Sequence, residues 1–135
     1  MRLLIDANVI LDVLQKREPH YSDSALIWKL CETGQTDGYV SALSFANLVY
    51  VMRKELTPEK TEEILNYLIL IFNFVEVNIS DLSHAAKMKW DDFEDALQSA
   101  TAERIHADYI ITRNIRDFKC SKVMALSPGE FIARF

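Results

Sequence analysis

Short apolar runs alternate with longer segments of helical spacing along this chain. Residues 2–5 form an apolar run that ends at Asp6, which is the pattern of a buried strand. Strand-like runs follow at residues 39–42, 74–77, 109–112 and 122–125. Helical patterns fill the intervals at residues 8–14, 22–31, 43–54, 59–72, 81–87 and 92–105, and a last helix opens at 127–128.

Strands that alternate with helices favour parallel pairing through crossover connections. We therefore expect one domain over residues 1–135, a three-layer α/β/α sandwich with a mainly parallel sheet of about five strands. Ligands of such sheets bind outside the carboxyl ends of the strands. Asp6 leaves the first strand, and Thr112, Arg113 and Asn114 leave the fourth, so these residues share a crevice if the two strands are neighbours.

The overall charge limits the classes of partner. Fifteen Lys and Arg against 20 Asp and Glu give a net charge of −5, which argues against nonspecific coating of nucleic acid. The apolar runs are too short for a membrane span, and the N-terminus does not have the pattern of a secretory signal. Cys31 and Cys120 fit no zinc spacing. We expect a cytoplasmic protein.

A local basic segment departs from the acidic average. Arg113, Arg116, Lys119 and Lys122 lie close together, with Asp117 as the single acid among them. These cations suit a solvated surface as well as they suit a phosphate-binding cradle. In the second interpretation Arg113, Arg116 and Lys119 contact nucleic acid.

Acidic residues supply the candidate chemistry. The topology directs Asp6, Glu94, Asp95 and Asp117 toward the same crevice. Two carboxylates ~4 Å apart repel by about 4 kcal/mol at an effective dielectric constant near 20, so such a cluster takes up protons or binds a cation. Oxygen ligands select Mg²⁺ or Mn²⁺, and ions held in this way promote phosphodiester hydrolysis.

Simpler roles exist for several of these acids. Asp6 can serve as an N-cap of the first helix, and Asp92 is better interpreted as a helix cap than as a metal ligand. Asp117 can be an exposed turn residue. The site hypothesis depends on the acids acting together.

Three segments carry a family resemblance. LLIDANVILD (residues 3–12), FEDALQSATA (93–102) and ADYIITRNIRDF (107–118) resemble, in this order, the signature segments of the PIN domain, and in particular of VapC-like toxins. The resemblance implies an endoribonuclease that depends on Mg²⁺ or Mn²⁺, is neutralised by an antitoxin protein and forms a homodimer.

Positions carried over from the family define the expected site. The resemblance assigns catalysis and metal binding to Asp6, Asp95 and Asp117. It gives supporting roles to Asn8, Thr112 and Asn114. Glu94 is a second choice, because it points ~100° around the helix from Asp95.

One position departs from the family pattern. The family usually has a Glu in the helix after the second strand, and Asn47 stands there in this chain. An amide oxygen can accept a hydrogen bond from a metal-bound water but brings no charge. We therefore expect weaker metal binding than in a relative with Glu, unless Glu94 or Asp92 compensates.

Other functions fit the sequence less well. A phosphatase of the haloacid dehalogenase type needs a second Asp two residues after the first, and Asn8 stands there. A receiver domain needs an Asp at a central strand exit, and the third strand is followed by Asn78. The alternative that stays open is a catalytically weak or inactive PIN-like module that binds an antitoxin or nucleic acid.

Overall fold

Strands and helices alternate along the chain in the computed structural model, which describes residues 1–135. The strands are β1 (Arg2–Ile5), β2 (Asp37–Ser41), β3 (Asn73–Val75), β4 (Tyr109–Ile111) and β5 (Ala125–Leu126). The helices are α1 (Ala7–Leu14), α2 (Tyr21–Glu32), α3 (Ala42–Met52), α4 (Pro58–Ile71), α5 (Ile79–Met88), α6 (Phe93–Arg104) and α7 (Pro128–Arg134), with a 3₁₀ turn at Ile115–Phe118. None of these helices combines the length and the apolar character that crossing a membrane requires.

The five strands form one sheet in the order β3-β2-β1-β4-β5, and every neighbouring pair is parallel. The predicted α/β architecture with a parallel sheet of five strands is therefore confirmed. β1 lies between β2 and β4, with Leu4 opposite both Tyr39 and Ile110. The exits of β1 and β4 consequently lie side by side, which is the arrangement that a shared crevice requires.

The side chains of the central strand β1 are buried on both faces of the sheet. Leu3 and Ile5 belong to the main core, which includes side chains of α1, α2, α3, α4 and α7. Leu4 points to the other face and packs with Ala102 of α6. Because successive side chains of a strand point to opposite faces, a continuous apolar run in β1 predicts helices on both sides.

The region after the fourth strand differs from the prediction. Ser121 Oγ accepts a hydrogen bond from Val123 N at 3.2 Å, which holds a turn where a strand was expected to begin. β5 therefore starts only at Ala125, and the predicted strand at 122–125 is shifted. The 3₁₀ turn before it carries Asp117 and was not predicted.

Candidate active site

Asp6 lies at the junction of β1 and α1. Its backbone N–H donates to Ile111 O at 2.9 Å, which extends the pairing with β4 by one residue. Its side-chain Oδ2 accepts a hydrogen bond from Thr112 Oγ1 at 2.8 Å and a longer one from Asn8 Nδ2 at 3.4 Å. Asp6 occupies the N-cap position of α1, but its side chain makes no capping hydrogen bond. The carboxylate is thus directed to the strand exit rather than to the helix terminus.

The loop that follows β4 is tied to the same carboxylate. Asn114 N donates to Thr112 Oγ1 at 3.1 Å, so the Thr112 hydroxyl accepts from the loop and donates to Asp6. Arg113 N approaches Asn8 Oδ1 at 3.5 Å. Thr112 and Asn8 therefore contact Asp6 directly, and Asn114 is linked to it through Thr112, while the role of all three in catalysis stays a prediction.

Asp95 lies in the first turn of α6. Asp92 caps this helix, accepting a hydrogen bond from Asp95 N at 3.1 Å, and its predicted role as a cap is confirmed. Burial raises the pKa of Asp95 to about 6, and the negative charges of Asp92, Asp117, Asp6 and Glu94 add to the effect. The raised pKa means that no cation of the protein offsets the burial and the repulsion that Asp95 experiences.

The pKa of Asp6 is also raised, first of all by burial. Hydrogen bonds from Thr112 and from the backbone of Ala7, together with the charge of Arg113, oppose this shift, while the charge of Asp117 adds to it. Asp6, Asp95 and Asp117 are thus close enough to repel one another. The topology brings these three acids, from three separate segments, into one electrostatic cluster.

The cluster is not a closed metal cage. No group of three His, Cys, Asp or Glu side chains in the chain is arranged to hold a metal ion. The donor set nevertheless fits Mg²⁺ or Mn²⁺, because it consists of oxygen ligands and Mg²⁺ usually keeps several waters while binding one or two carboxylates. Asn47 is exposed on α3 and adds no charge to the crevice.

A groove of about 510 Å³ runs past two of the three acids. Asp95 and Asp117 line it together with Arg116 and Lys119. Carboxylates that suit a metal ion therefore lie next to cations that suit a phosphate.

Arg113, for which contact with nucleic acid is predicted, is partly exposed and forms an ion pair with a buried acid. Its Nε lies 2.9 Å from Oδ2 of Asp12, whose side chain is completely buried in α1 and also accepts a hydrogen bond from Ser24 Oγ at 3.0 Å. The contact with Arg113 is electrostatic rather than a directed hydrogen bond, since neither Arg113 Nε nor Asp12 Oδ1 has a hydrogen-bond partner. Asp12 was not predicted as a functional residue, although an acid among the apolar positions 9–14 was a signal.

Gln98 is a second buried group that the sequence analysis missed. Its amide accepts a hydrogen bond from Ser41 Oγ at 2.5 Å and donates one to Ser44 Oγ at 3.0 Å. Ser41 caps α3, so this bridge ties α6 to the start of α3. Asp95 lies one turn before Gln98 on α6, and the bridge therefore fixes the helix that carries it.

A sequence profile described as "PIN domain" matches residues 2–116. The chain belongs to the PIN domain family. The match includes every residue of the acidic cluster apart from Asp117, which follows directly after it. No curated protein matches this PIN domain.

Solved structures resemble this PIN domain over nearly its whole length. VapBC-1 from nontypeable Haemophilus influenzae has a TM-score of 0.74 at 16% identity, covering 96% of this chain and 99% of that chain. FitAcB from Neisseria gonorrhoeae has a TM-score of 0.66 at 21% identity, covering 94% and 98%. VapC20 from Mycobacterium tuberculosis, a Sarcin-Ricin loop cleaving toxin, has a TM-score of 0.65 at 9% identity, covering 80% and 86%. At these identities the similarity establishes the fold alone.

Proposed function

We propose that this PIN domain is a metal-dependent endoribonuclease and the toxin of a toxin–antitoxin pair. The observation that carries the proposal is the cluster of Asp6, Asp95 and Asp117 at the carboxyl edge of the sheet, where burial and mutual repulsion raise the pKa of Asp6 and of Asp95 although the charge of Arg113 opposes the shift at Asp6. Carboxylates that the fold leaves uncompensated are suited to bind an external divalent cation.

The side chains of the cluster divide the work of holding such an ion. Mg²⁺ or Mn²⁺ held there would lower the pKa of a bound water and offset negative charge on the phosphate. Asp6, oriented by Thr112, would be the main residue to hold the ion, and Asp95 and Asp117 would add the negative charge of the site. Asn8 and Asn114 keep the Asp6–Thr112 contact in place, the first from α1 and the second from the loop after β4.

RNA is the substrate that the surroundings of the cluster favour. Arg116 and Lys119 line the same groove as Asp95 and Asp117, so phosphates can be bound next to the acids. The fold similarity to a Sarcin-Ricin loop cleaving toxin supports RNA rather than another phosphodiester. Arg113 contributes at longer range, because its guanidinium is engaged with Asp12.

An antitoxin protein is the expected partner. Several of the similar structures are toxin–antitoxin assemblies, among them one from Klebsiella pneumoniae and the VapBC and FitAB complexes. We extend this association to the present chain, together with assembly as a homodimer and location in the cytoplasm.

A binding module without turnover is the second candidate. Asn47 brings no charge to the position where the family usually has a Glu, and the acids form no closed cage. Both observations favour weak metal affinity. In this alternative the crevice binds RNA or an antitoxin but does not cleave.

Cleavage of a mixed RNA pool in the presence of Mn²⁺ tests the proposal. We expect cleavage by the unmodified protein and a loss of at least about 100-fold in Asp6→Asn, because a central ligand loses its charge. Asp37→Asn is the matched control, since Asp37 is exposed at the opposite edge of the sheet, where β2 begins. Absence of cleavage with every divalent ion, while RNA or a partner still binds, would establish the binding module.

A further inference from the structure

Three surface depressions meet along the β5 edge of the sheet. The acidic groove of about 510 Å³ shares Arg116 and Lys119 with a second depression of about 440 Å³. That depression shares Lys122 and Met124 with a third of about 420 Å³, which extends to Arg134. Neighbouring depressions share lining side chains, so the three follow one another along this edge and lead away from the acidic cluster. We call the three together the β5-edge channel.

The β5-edge channel concentrates cations on an acidic protein. The chain has a net charge of −5, yet the middle depression is lined by Arg116, Lys119 and Lys122 and by no carboxylate. These three cations and Arg134 are exposed, and none of them forms a salt bridge within the chain. Acids line the channel only toward its two ends, at the acidic cluster and at Asp108. Uncompensated cations in a row suit a polyanion.

Apolar side chains lie between these cations. Ile115 and Met124 line the middle depression and are 37% and 52% exposed. Proteins that bind single-stranded nucleic acid combine a cationic groove with side chains, most often aromatic, against which unpaired bases stack. Here Ile115 and Met124 supply the apolar contact. A duplex covers its bases and gains nothing from such contact, so the combination favours a single strand.

We infer that the β5-edge channel binds the single-stranded RNA segment that flanks the cleaved phosphate on one side. The phosphates of this segment contact Lys122 and Arg134, and a base packs against Met124. The inference rests on the proposed function, because the RNA segment is taken to run from a cleaved bond at the acidic cluster into the channel. It adds a binding surface beyond that cluster, at the edge strand β5 and helix α7.

Equilibrium binding to a fluorescent single-stranded RNA of about 12 nucleotides, measured in EDTA, tests the inference without requiring cleavage. We expect the double variant Lys122→Ala/Arg134→Ala to bind about tenfold more weakly at low salt. The slope of log affinity against log salt should fall by about 1.4, which is ~0.7 for each lost phosphate contact. Both side chains are exposed, so the melting temperature should be unchanged.

Two further variants complete this experiment. Lys29→Ala/Arg53→Ala removes the same charge from exposed positions on α2 and at the end of α3, outside the channel, and should leave the slope unchanged. Met124→Ala should weaken binding about threefold without changing the slope, because it removes apolar contact and no charge.

Three outcomes would overturn the inference. The first is a salt slope that is unchanged in the channel variant, and the second is a loss of RNA affinity in the control variant as large as that in the channel variant. The third is an acidic peptide that binds the channel without displacing the RNA. The last result would assign the channel to a protein partner. Because the measurement excludes divalent ions, it is independent of the cleavage assay: channel binding without cleavage contradicts the nuclease, and cleavage without channel binding contradicts only the channel.

Discussion

Asp6 precedes α1 and Asp12 lies near the end of the same helix, and the two carboxylates have different charged neighbours. Asp12 is completely buried and contacts Arg113, with Ser24 donating a hydrogen bond. Asp6 contacts only neutral side chains, those of Thr112 and Asn8. Arg113 lowers the pKa of Asp6 from a distance, but burial outweighs this and the pKa is raised. One carboxylate has its counterion inside the protein, and the other does not.

A second internal pair shows that the difference is not confined to Asp12. Asp81 is 2% exposed, and Arg104 Nε lies 2.9 Å from its Oδ1. The completely or nearly buried acids away from the crevice therefore each have an arginine. The acids of the crevice lie beside other acids instead. Binding of a cation from solution would relieve their repulsion.

Separate neutralisation of Asp6 and Asp12 should give the largest difference in the free energy of unfolding. We expect Asp12→Asn to lower the free energy of unfolding by about 3 kcal/mol, because Arg113 loses its buried counterion. The melting temperature should fall by about 10 °C. Asp6→Asn should leave stability unchanged or raise it, since it removes a repelled charge and keeps an acceptor for Thr112. Urea and thermal unfolding at pH 7 in EDTA measure both, and equal losses would refute the contrast.

Divalent ions should stabilise the protein through Asp6 and not through Asp12. At 100 times its dissociation constant, Mn²⁺ should add about 2.7 kcal/mol to the free energy of unfolding, because it binds the folded chain. We expect Asp6→Asn to lose this increment and Asp12→Asn to retain it. Thermal melts with and without Mn²⁺ provide the measurement. The site would have to be relocated if Asp12→Asn alone lost the increment.

The contrast between the two acids also separates what the sequence could predict from what it could not. The buried run before Asp6 and the strand before Thr112 predicted that both residues leave a parallel sheet, whereas the adjacency of β1 and β4 was only a condition of the shared crevice and is seen in the structure. The contact between them is a consequence of topology. Parallel pairing is indicated by the alternation of strand and helix patterns, which a single sequence displays, but the order of the strands is not.

The partners of Asp12 and Gln98 depend on packing instead. The Asp12–Arg113 contact requires the loop after β4 to fold back onto α1, and the Gln98 bridge requires α6 to approach the start of α3 at a particular depth. No local pattern encodes either distance. The start of β5 was missed for a related reason, since a turn stabilised by Ser121 replaced the strand that local apolarity indicated.

A carboxylate at position 47 should raise the metal affinity of the crevice by adding negative charge to it. We expect Asn47→Glu to bind Mn²⁺ about tenfold more tightly, since one ligand charge is gained, and to cleave RNA faster. Asn66→Glu, at an exposed position of α4, makes the same change away from the acidic cluster and should have no effect. Calorimetric titration with Mn²⁺ provides the measurement. Equal affinity in Asn47→Glu and the unmodified protein would show that α3 does not face the ion.

The smallest effect that we expect is the dependence of stability on pH. The pKa of Asp95 is about 6 in the folded protein, against an ordinary value of 3.8. Between about pH 4 and pH 6 the unfolded chain ionises first, so stability falls as the pH rises through this window and is constant above it. Asp95 is partly exposed and solvent screens its charge, so its share of the change should be about 1 kcal/mol and should be lost in Asp95→Asn, while the raised pKa of Asp6 leaves a dependence of the same sign.

Metal binding should respond to the same protonation with the opposite sign. A protonated Asp95 cannot share an ion with Asp6, so the increment in melting temperature produced by Mn²⁺ should shrink as the pH falls from 7.5 to 5.5. The protein without metal should become more stable over the same interval. Thermal melts at both pH values measure both effects of Asp95 protonation. As the pH falls, the melting temperature in EDTA should rise and the increment produced by Mn²⁺ should shrink. An Mn²⁺ increment that stayed constant across this range would mean that Asp95 lies outside the metal site, whatever its pKa.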